Sequence, residues 1–348
     1  MENWGLVGHE WAVAALKQAI ARRRVPHALL FVGPSGVGKR TLAQAFARAL
    51  ECTATDAGAR PCGQCRTCHL IAGGNYPDLC LIETERASGG QRQDRRDISI
   101  EQIRSLQHQV SLKPYEGRWV IGIIAGAHEM SDAAANCLLK TLEEPQPAVV
   151  LILTAPDVGQ LFPTIVSRCQ VFPLRPLPPA QTETALASRF GVEPERAAVL
   201  AHLSGGRIGW AVRAAQDESV LSVRRERLDA LAQLVDSSRR QRLDEAASLS
   251  DDYGKGQDGR DAVHETLDLW ASWWRDVLLL QEGCAGQITN VDCSAELQQA
   301  ARYPSGEAAR FLAEILAARD HLERNVNPRL ALEVLLLGMP HINLPHRT

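Results

Sequence analysis

The chain has 348 residues, 41 acidic and 38 basic side chains, and a formal net charge of -3. Its length predicts two or three domains, and its 45% hydrophobic and 23% charged residues are typical of a globular protein. The charge balance gives no indication of nucleic-acid binding. No apolar run approaches the roughly 20 residues of a membrane span, and no export signal precedes the first helix. We therefore expect a cytoplasmic protein without a membrane partner.

The first elements predict a strand, a glycine-rich loop and a helix in succession. Residues 10–24 have the apolar spacing of an amphipathic helix. Residues 27–33, HALLFVG, form a short apolar run that ends in glycine, as a buried parallel strand does. Helical spacing resumes at residues 39–50. The intervening loop therefore begins at the carboxyl end of a strand and ends at the amino end of a helix.

That loop, GPSGVGKRT at residues 33–41, is close to a nucleotide-binding phosphate loop. Glycines allow backbone amides to turn toward an anion, and the following lysine can reach the β and γ phosphates of a nucleotide. The residue after the lysine normally holds magnesium through a hydroxyl, but here it is an arginine, and a threonine follows one residue late. The pattern leaves ATP or ADP binding open, with a plain glycine-rich turn as the alternative. The candidate phosphate-loop residues are Gly33, Gly36, Gly38, Lys39, Arg40 and Thr41.

Four of the nine cysteines lie in one short segment. Cys62, Cys65 and Cys68 form two overlapping CxxC pairs, and Cys52 precedes them. Four thiolates at this spacing predict a closed tetrahedral zinc site with a structural role, because no coordination position is left for water. A redox-active CxxC pair is the alternative. The five scattered cysteines are expected to be small buried hydrophobic residues.

The rest of the first half continues to alternate between strands and helices. Apolar strands are predicted at 79–82, 119–125, 149–155 and 169–172, and helices at 99–111 and 131–144. The polar, glycine-bearing segment 85–97 predicts an exposed loop. Strands that alternate with helices indicate an α/β fold with a parallel sheet, here of five strands, covered on both faces.

The strand at 119–125 lacks the carboxylates that a magnesium-dependent ATPase needs. Two acidic residues would be expected at its end, where Ala125 and Gly126 stand instead. Glu129 follows several residues later, on the far side of His128. The hydroxyl and the carboxylates are thus both missing, which predicts that magnesium-dependent hydrolysis is absent.

The second half of the chain predicts helices only. The proline-rich segment 173–179 predicts a linker, because proline cannot continue a strand or lie inside a helix, and we place a domain boundary near Leu177. Short helices follow to residue 216, and longer ones after it, with a flexible break expected at 251–260. The helix at 264–281 contains three tryptophans, and either one of them packs against another domain or subunit, or all three share one broad face.

Together these motifs resemble the AAA+ clamp-loader family of bacterial DNA polymerase III. The resemblance rests on LVGHEWAVAALKQAI, the phosphate loop, the cysteine knuckle, SDAAANCLLKTLEEP and IVSRCQVF, and it covers residues 1 to about 215. It implies an AAA+ (RecA-like) core at 1–176 with an inserted zinc knuckle at 52–68. A small helical lid domain at 177–216 and an all-α collar domain at 217–348 would follow.

The departures from the family pattern favour a subunit that does not hydrolyse ATP. ATPase subunits of the family have a complete phosphate loop, an acidic pair on the third strand and a lid arginine. Here Arg40 replaces the hydroxyl, Ala125 and Gly126 replace the acids, and Gly209 stands at the lid position unless Arg207 substitutes for it. The alternative is an active γ/τ-type ATPase with atypical motifs.

The resemblance also assigns a role to Arg168, in SRC. In this family that residue acts in trans as an arginine finger, on the ATP site of a neighbouring subunit. From the residues alone, a pair between Arg168 and a local carboxylate is the alternative. The implied partners are the γ/τ and delta subunits, with the sliding clamp and primed DNA reached through the complex.

Overall fold

The computed structural model describes residues 2–84, 97–324 and 326–340. The chain divides into two compact units, Met1–Ala185 with Gly206–Gly209 and Leu186–Gly205 with Trp210–Thr348. The loop predicted at 85–97 lies outside the described residues except for Asp97. Among the described helices, none has the length and apolar character needed to cross a membrane.

The first unit contains the predicted sheet. Its strands are β1 (Ala28–Val32), β2 (Leu79–Ile82), β3 (Val120–Ile124), β4 (Val149–Ala155) and β5 (Gln170–Pro173). They are ordered β2-β3-β4-β1-β5, and every neighbouring pair is parallel. All residues of β1, β3 and β4 are buried, as expected for strands covered on both faces. The carboxyl ends of these parallel strands meet at one edge of the sheet.

Helices cover both faces of this sheet. They are α1 (Glu10–Ala21), α2 (Lys39–Glu51), α3 (Arg66–Ala72), α4 (Ile100–Ser111), α5 (Asp132–Glu143), α6 (Pro163–Val166) and α7 (Pro179–Phe190), which continues into the second unit. Phe31 belongs to the core cluster that includes Phe46 of α2, whereas the preceding Leu30 belongs to the cluster with Leu106 of α4 and Leu138 of α5. Successive strand residues point to opposite faces, so β1 is packed on both sides. The predicted α/β class, with a five-stranded parallel sheet covered on both faces, is confirmed.

The described part of the second unit is entirely helical. Its helices are α8 (Pro194–Leu203), α9 (Ile208–Gln216, from Trp210 onward), α10 (Ser219–Val235), α11 (Arg239–Tyr253), α12 (Gln257–Gln281), α13 (Ser294–Ala300), α14 (Ser305–Glu323) and α15 (Pro328–Leu337). The flexible break predicted at 251–260 was wrong in extent, since only residues 254–256 lie outside α11 and α12. Gly256, with a φ of 94°, allows the chain to turn within those three residues.

The three tryptophans of α12 share one intramolecular core. Trp270, Trp273 and Trp274 are 1%, 7% and 0% exposed. The Trp274 ring makes edge contacts with Trp273, Tyr303 and Phe311 at centroid distances of 5.1, 5.4 and 5.2 Å. A core that surrounds the helix over a wide angle therefore accommodates all three, and no neighbouring subunit is needed to bury them.

The five scattered cysteines are less buried than predicted. Cys293 is buried, but Cys80, Cys137, Cys169 and Cys284 are partly exposed. Three of these four still pack against the core under the sheet, as small hydrophobic residues do. The prediction that the five are buried was therefore wrong for these four, which are only partly buried.

Candidate functional sites

The phosphate-loop residues join the end of β1 to the start of α2. Gly33, Gly36 and Gly38 have φ angles of 147°, 82° and 107°, which residues with side chains rarely adopt. The amide of Gly33 donates to the carbonyl of Ala155, at the end of β4, at 3.2 Å. The chain therefore has the strand, glycine-rich loop and helix order that anion-binding loops use.

The amine of Lys39 bonds to the loop itself. Its Nζ donates to the carbonyl of Pro34 at 3.0 Å and also to the carbonyl of Gly33. Burial lowers the pKa of Lys39 from 10.5 to about 8, because the charged amine loses contact with water. The group expected to reach a nucleotide phosphate is thus engaged within the chain.

The next residue, Arg40, points to the end of β2. Its Nη1 lies 2.6 Å from Oε2 of Glu83, and both side chains are about half exposed, at 52% and 48%. Thr41 is exposed at the following position of α2. The position after the loop lysine therefore carries a salt-bridged guanidinium and no hydroxyl.

A glycine turn follows the end of β3. Gly126 has a φ of 81°, and its amide donates to Oγ1 of Thr154 at 3.0 Å. A Cβ at this position would lie 2.9 Å from Oε2 of Glu129, because the short helix Ala127–Glu129 turns that carboxylate back over the glycine. A side chain at residue 126 would therefore have to displace the Glu129 carboxylate and adopt a positive φ, which residues with side chains rarely do.

The segment Gly206–Gly209 contacts the phosphate loop. The amide of Gly209 donates to the carbonyl of Gly36 at 2.7 Å. A Cβ on Gly209 would lie 3.0 Å from that oxygen, so the absence of a side chain permits this close approach. Gly209, which stands where the family has its lid arginine, thus forms a backbone hydrogen bond with the phosphate loop.

The four predicted cysteines come together as one cluster. The ligand atoms of Cys52, Cys62, Cys65 and Cys68 all lie within 4.8 Å of one another. Tetrahedral zinc with Zn–S bonds of about 2.3 Å would place its sulfurs roughly 3.8 Å apart, which this cluster accommodates. The donor set consists of four thiols, and Cys52 and Cys68 are buried. These four side chains are placed to hold one metal ion.

Backbone amides support the sulfur atoms. The amide of Cys62 donates to Sγ of Cys52 at 3.3 Å, that of Cys65 to Sγ of Cys62 at 3.3 Å, and that of Cys68 to Sγ of Cys65 at 3.4 Å. Burial opposes ionisation of Cys65, but N–H donation from Thr53 and Cys68 outweighs it and lowers the pKa of Cys65 to about 6. Cys65 is therefore favoured as a thiolate, the form that binds metal, whereas burial raises the pKa of Cys68 to about 12.

Arg168 follows α6 and precedes β5. Its Nη2 lies 2.7 Å from Oε1 of Glu143, and its Nη1 donates to the carbonyl of Thr164 at 2.8 Å and to Oγ of Ser167 at 3.3 Å. The side chain is 33% exposed. The pairing with a local carboxylate is therefore present. Sequence reasoning did not identify Glu143, since nothing local links it to a residue 25 positions away.

Two family models match the chain over most of its length. The model described as "DNA polymerase III, delta subunit" matches residues 8–178. The model described as "DNA polymerase III, delta subunit, C terminal" matches residues 223–341. The matches include the phosphate loop, the cysteine knuckle and Arg168 in the first segment, and α11 to α15 in the second.

Curated relatives agree with these matches. DNA polymerase III subunit delta' of Bacillus subtilis is 29% identical over 92% of this chain and 93% of its own length. The delta' subunit of Pseudomonas aeruginosa is 38% identical over 57% of this chain and 58% of its own length. The tau/gamma subunit of Haemophilus influenzae is 38% identical, over 52% of this chain and 25% of its own length. The chain therefore belongs to the delta-prime subunit family of the bacterial DNA polymerase III clamp loader.

Proposed function

We propose that this chain is a non-hydrolysing stator of the clamp loader and donates Arg168 to the ATP site of a neighbouring γ/τ subunit. The observation that carries the proposal is that the first unit lacks magnesium-binding residues at its own phosphate loop but presents an arginine elsewhere. The chain's own phosphate loop has Arg40 at the hydroxyl position, and Ala125 and Gly126 follow the third strand. Arg168 meanwhile presents a partly exposed guanidinium.

An arginine supplied by a neighbour neutralises charge that develops on the γ-phosphate during transfer. The pair between Arg168 and Glu143 does not prevent this role, because both side chains are partly exposed, at 33% and 50%. Exposed ion pairs contribute little net stability, whereas a guanidinium binds phosphate oxygens through strong charge-assisted hydrogen bonds. The guanidinium can therefore bind a phosphate oxygen through the N–H donors that Glu143 does not occupy.

The remaining parts of the chain have supporting roles in this proposal. The core at 1–176 carries Arg168, the segment 177–216 is the lid domain, and the helices of 217–348 supply this subunit's share of a collar. The partners are the γ/τ and delta subunits in the cytoplasm, and the complex loads the sliding clamp onto primed DNA. The near-neutral charge of -3 supports an indirect contact with DNA.

We propose zinc as the metal held by Cys52, Cys62, Cys65 and Cys68. A set of four thiolates favours zinc and leaves no coordination position for water. The ion would supply cross-links between the end of α2 and the start of α3 and no chemistry on a substrate. Cys65 is the N-cap residue of α3, which places the knuckle directly against that helix.

The test of the arginine finger is the Arg168→Ala variant in a loader reconstituted with γ/τ and delta. Removal of an arginine finger lowers kcat by about 10³-fold or more at the site that it serves. The total DNA-dependent ATPase activity of the loader should therefore fall by the fraction that this one site contributes. Arg104→Ala, which removes an exposed arginine of α4, should behave as wild type. Unchanged ATPase of the Arg168 variant would refute the proposal.

A second candidate function is an active γ/τ-type ATPase with atypical motifs. The retained glycine conformations at Gly36 and Gly38, with Lys39 after them, are the observations that favour it. The two candidates differ for the isolated chain with ATP and magnesium. Turnover above background without partner subunits would support this candidate over the stator.

A further inference from the structure

We propose that Glu143 is a positioning residue for Arg168, an inference that rests on the proposed function of Arg168 as an arginine finger. Glu143 is the last residue of α5, and Arg168 lies two residues beyond the end of α6. The 2.7 Å contact between Nη2 and Oε1 joins these two helix ends. A charge-assisted hydrogen bond of this length is stronger than one between neutral groups.

The guanidinium makes three hydrogen bonds within the chain. Nη1 bonds to the Thr164 carbonyl and the Ser167 hydroxyl, and Nη2 bonds to Glu143. A guanidinium has five N–H donors in a rigid planar fork, so Nε and one hydrogen of Nη2 lie outside these three contacts. An arginine whose plane is already set loses less rotamer freedom when it meets a phosphate. Thr164 and Ser167 bind Nη1, and Glu143 is the residue that binds the other terminal nitrogen, Nη2.

The placement of Glu143 is unfavourable for its own helix. The carboxyl end of a helix carries partial negative charge, which disfavours a carboxylate in the last turn. Glu144, the C-cap residue, adds a second carboxylate at the same end. The Arg168 guanidinium offsets this repulsion at Glu143. Loss of the Glu143 charge should therefore not weaken α5, and an effect of that loss on ATPase would indicate a role in positioning Arg168.

The experiment uses the full chain in the loader reconstituted with γ/τ and delta, and measures kcat and KM for DNA-dependent ATP hydrolysis. A misplaced reacting group costs up to about 100-fold in rate, so Glu143→Ala should lower kcat at the served site by about tenfold, with KM for ATP within about twofold of wild type. Glu143→Gln, which keeps an oxygen acceptor, should fall between that variant and wild type. Glu144→Gln removes the same charge one residue along and should match wild type.

A double-mutant cycle with Arg168→Ala separates the outcomes. If Glu143 acts through Arg168, Glu143→Ala should have no further effect in the Arg168→Ala background. A further loss in that background, or wild-type ATPase of Glu143→Ala while Arg168→Ala is impaired, would overturn the role of Glu143 and leave the arginine finger standing. Wild-type ATPase of Arg168→Ala would overturn both. Equal thermal midpoints of Glu143→Ala, Glu143→Gln and wild type would show that the measured loss does not come from unfolding.

Discussion

Arg40, the residue that follows the phosphate-loop lysine, forms an ion pair with Glu83, and its Nη1 lies 2.6 Å from Oε2 of that carboxylate. We expect Arg40→Thr to restore the missing hydroxyl without restoring ATP hydrolysis, because Ala125 and Gly126 still supply no carboxylate for magnesium. The measurement is steady-state turnover of the isolated variant with ATP and magnesium. Since exposed ion pairs contribute about 0–1 kcal/mol, the thermal midpoint should change little. Turnover by Arg40→Thr would show that the hydroxyl alone was limiting.

The stability of the chain should depend on pH through Lys39. Its pKa is lowered from 10.5 to about 8 by burial. Between these pH values the unfolded chain keeps a proton that the folded chain has released, so the free energy of unfolding rises with pH. Relative to Lys39→Met, the unmodified chain should gain about 1–2 kcal/mol from pH 8 to pH 10 in urea denaturation. Lys113→Met, at an exposed lysine, serves as the control, and a pH-independent difference for Lys39→Met would contradict the prediction.

Metal removal should destabilise the first unit. Mass spectrometry of the undenatured chain should find close to one zinc per chain, bound by the cluster that includes Cys52 and Cys65. Because a ligand that binds only the folded state adds stability, chelation should lower the free energy of unfolding by about 3 kcal/mol or more. Cys52→Ser should reproduce this loss, whereas Cys284→Ser, outside the cluster, should not. A metal content near zero would refute the zinc site.

Gly117 should not tolerate a side chain. A Cβ there would overlap the Glu51 carboxylate and the Tyr76 hydroxyl. Glu51 is 3% exposed and accepts amide hydrogens from Arg118 at 2.9 Å and Trp119 at 2.7 Å, so it cannot move away without breaking both hydrogen bonds. We expect Gly117→Ala to lower the free energy of unfolding by about 2–4 kcal/mol in urea denaturation.

The control for that substitution is Gly73→Ala, also in the first unit. Gly73 has a φ of -83°, and a Cβ added there would lie 3.4 Å from the nearest atom, the carbonyl oxygen of His69, which is an ordinary contact distance. The free energy of unfolding of this variant should stay close to that of the unchanged chain. Equal losses for the two alanine variants would show that the contact at Gly117 carries no strain.

The elements of the first unit could be predicted closely because strand and helix signals are local. Apolar runs predicted all five strands within one residue or so of their observed bounds, since a strand buried on both faces needs continuous hydrophobic residues. The extent of the break at 251–260 was harder to predict from the sequence, because polar and glycine residues are compatible with helix ends as well as with loops. The common core of the three tryptophans depended on residues beyond α12, such as Tyr303 and Phe311, which periodicity within α12 cannot reveal.

By itself the sequence determined the sheet, the cysteine cluster and the loss of hydroxyl and carboxylates at the phosphate loop, because each depends on residue type and short spacing. Only the tertiary structure decided which groups these residues meet. Arg40 pairs with Glu83, Gly209 contacts Gly36, and Arg168 meets Glu143 across 25 residues of chain. Such partners are brought together by the packing of helices and strands, and the energies of a salt bridge or a close backbone contact leave no pattern along the sequence.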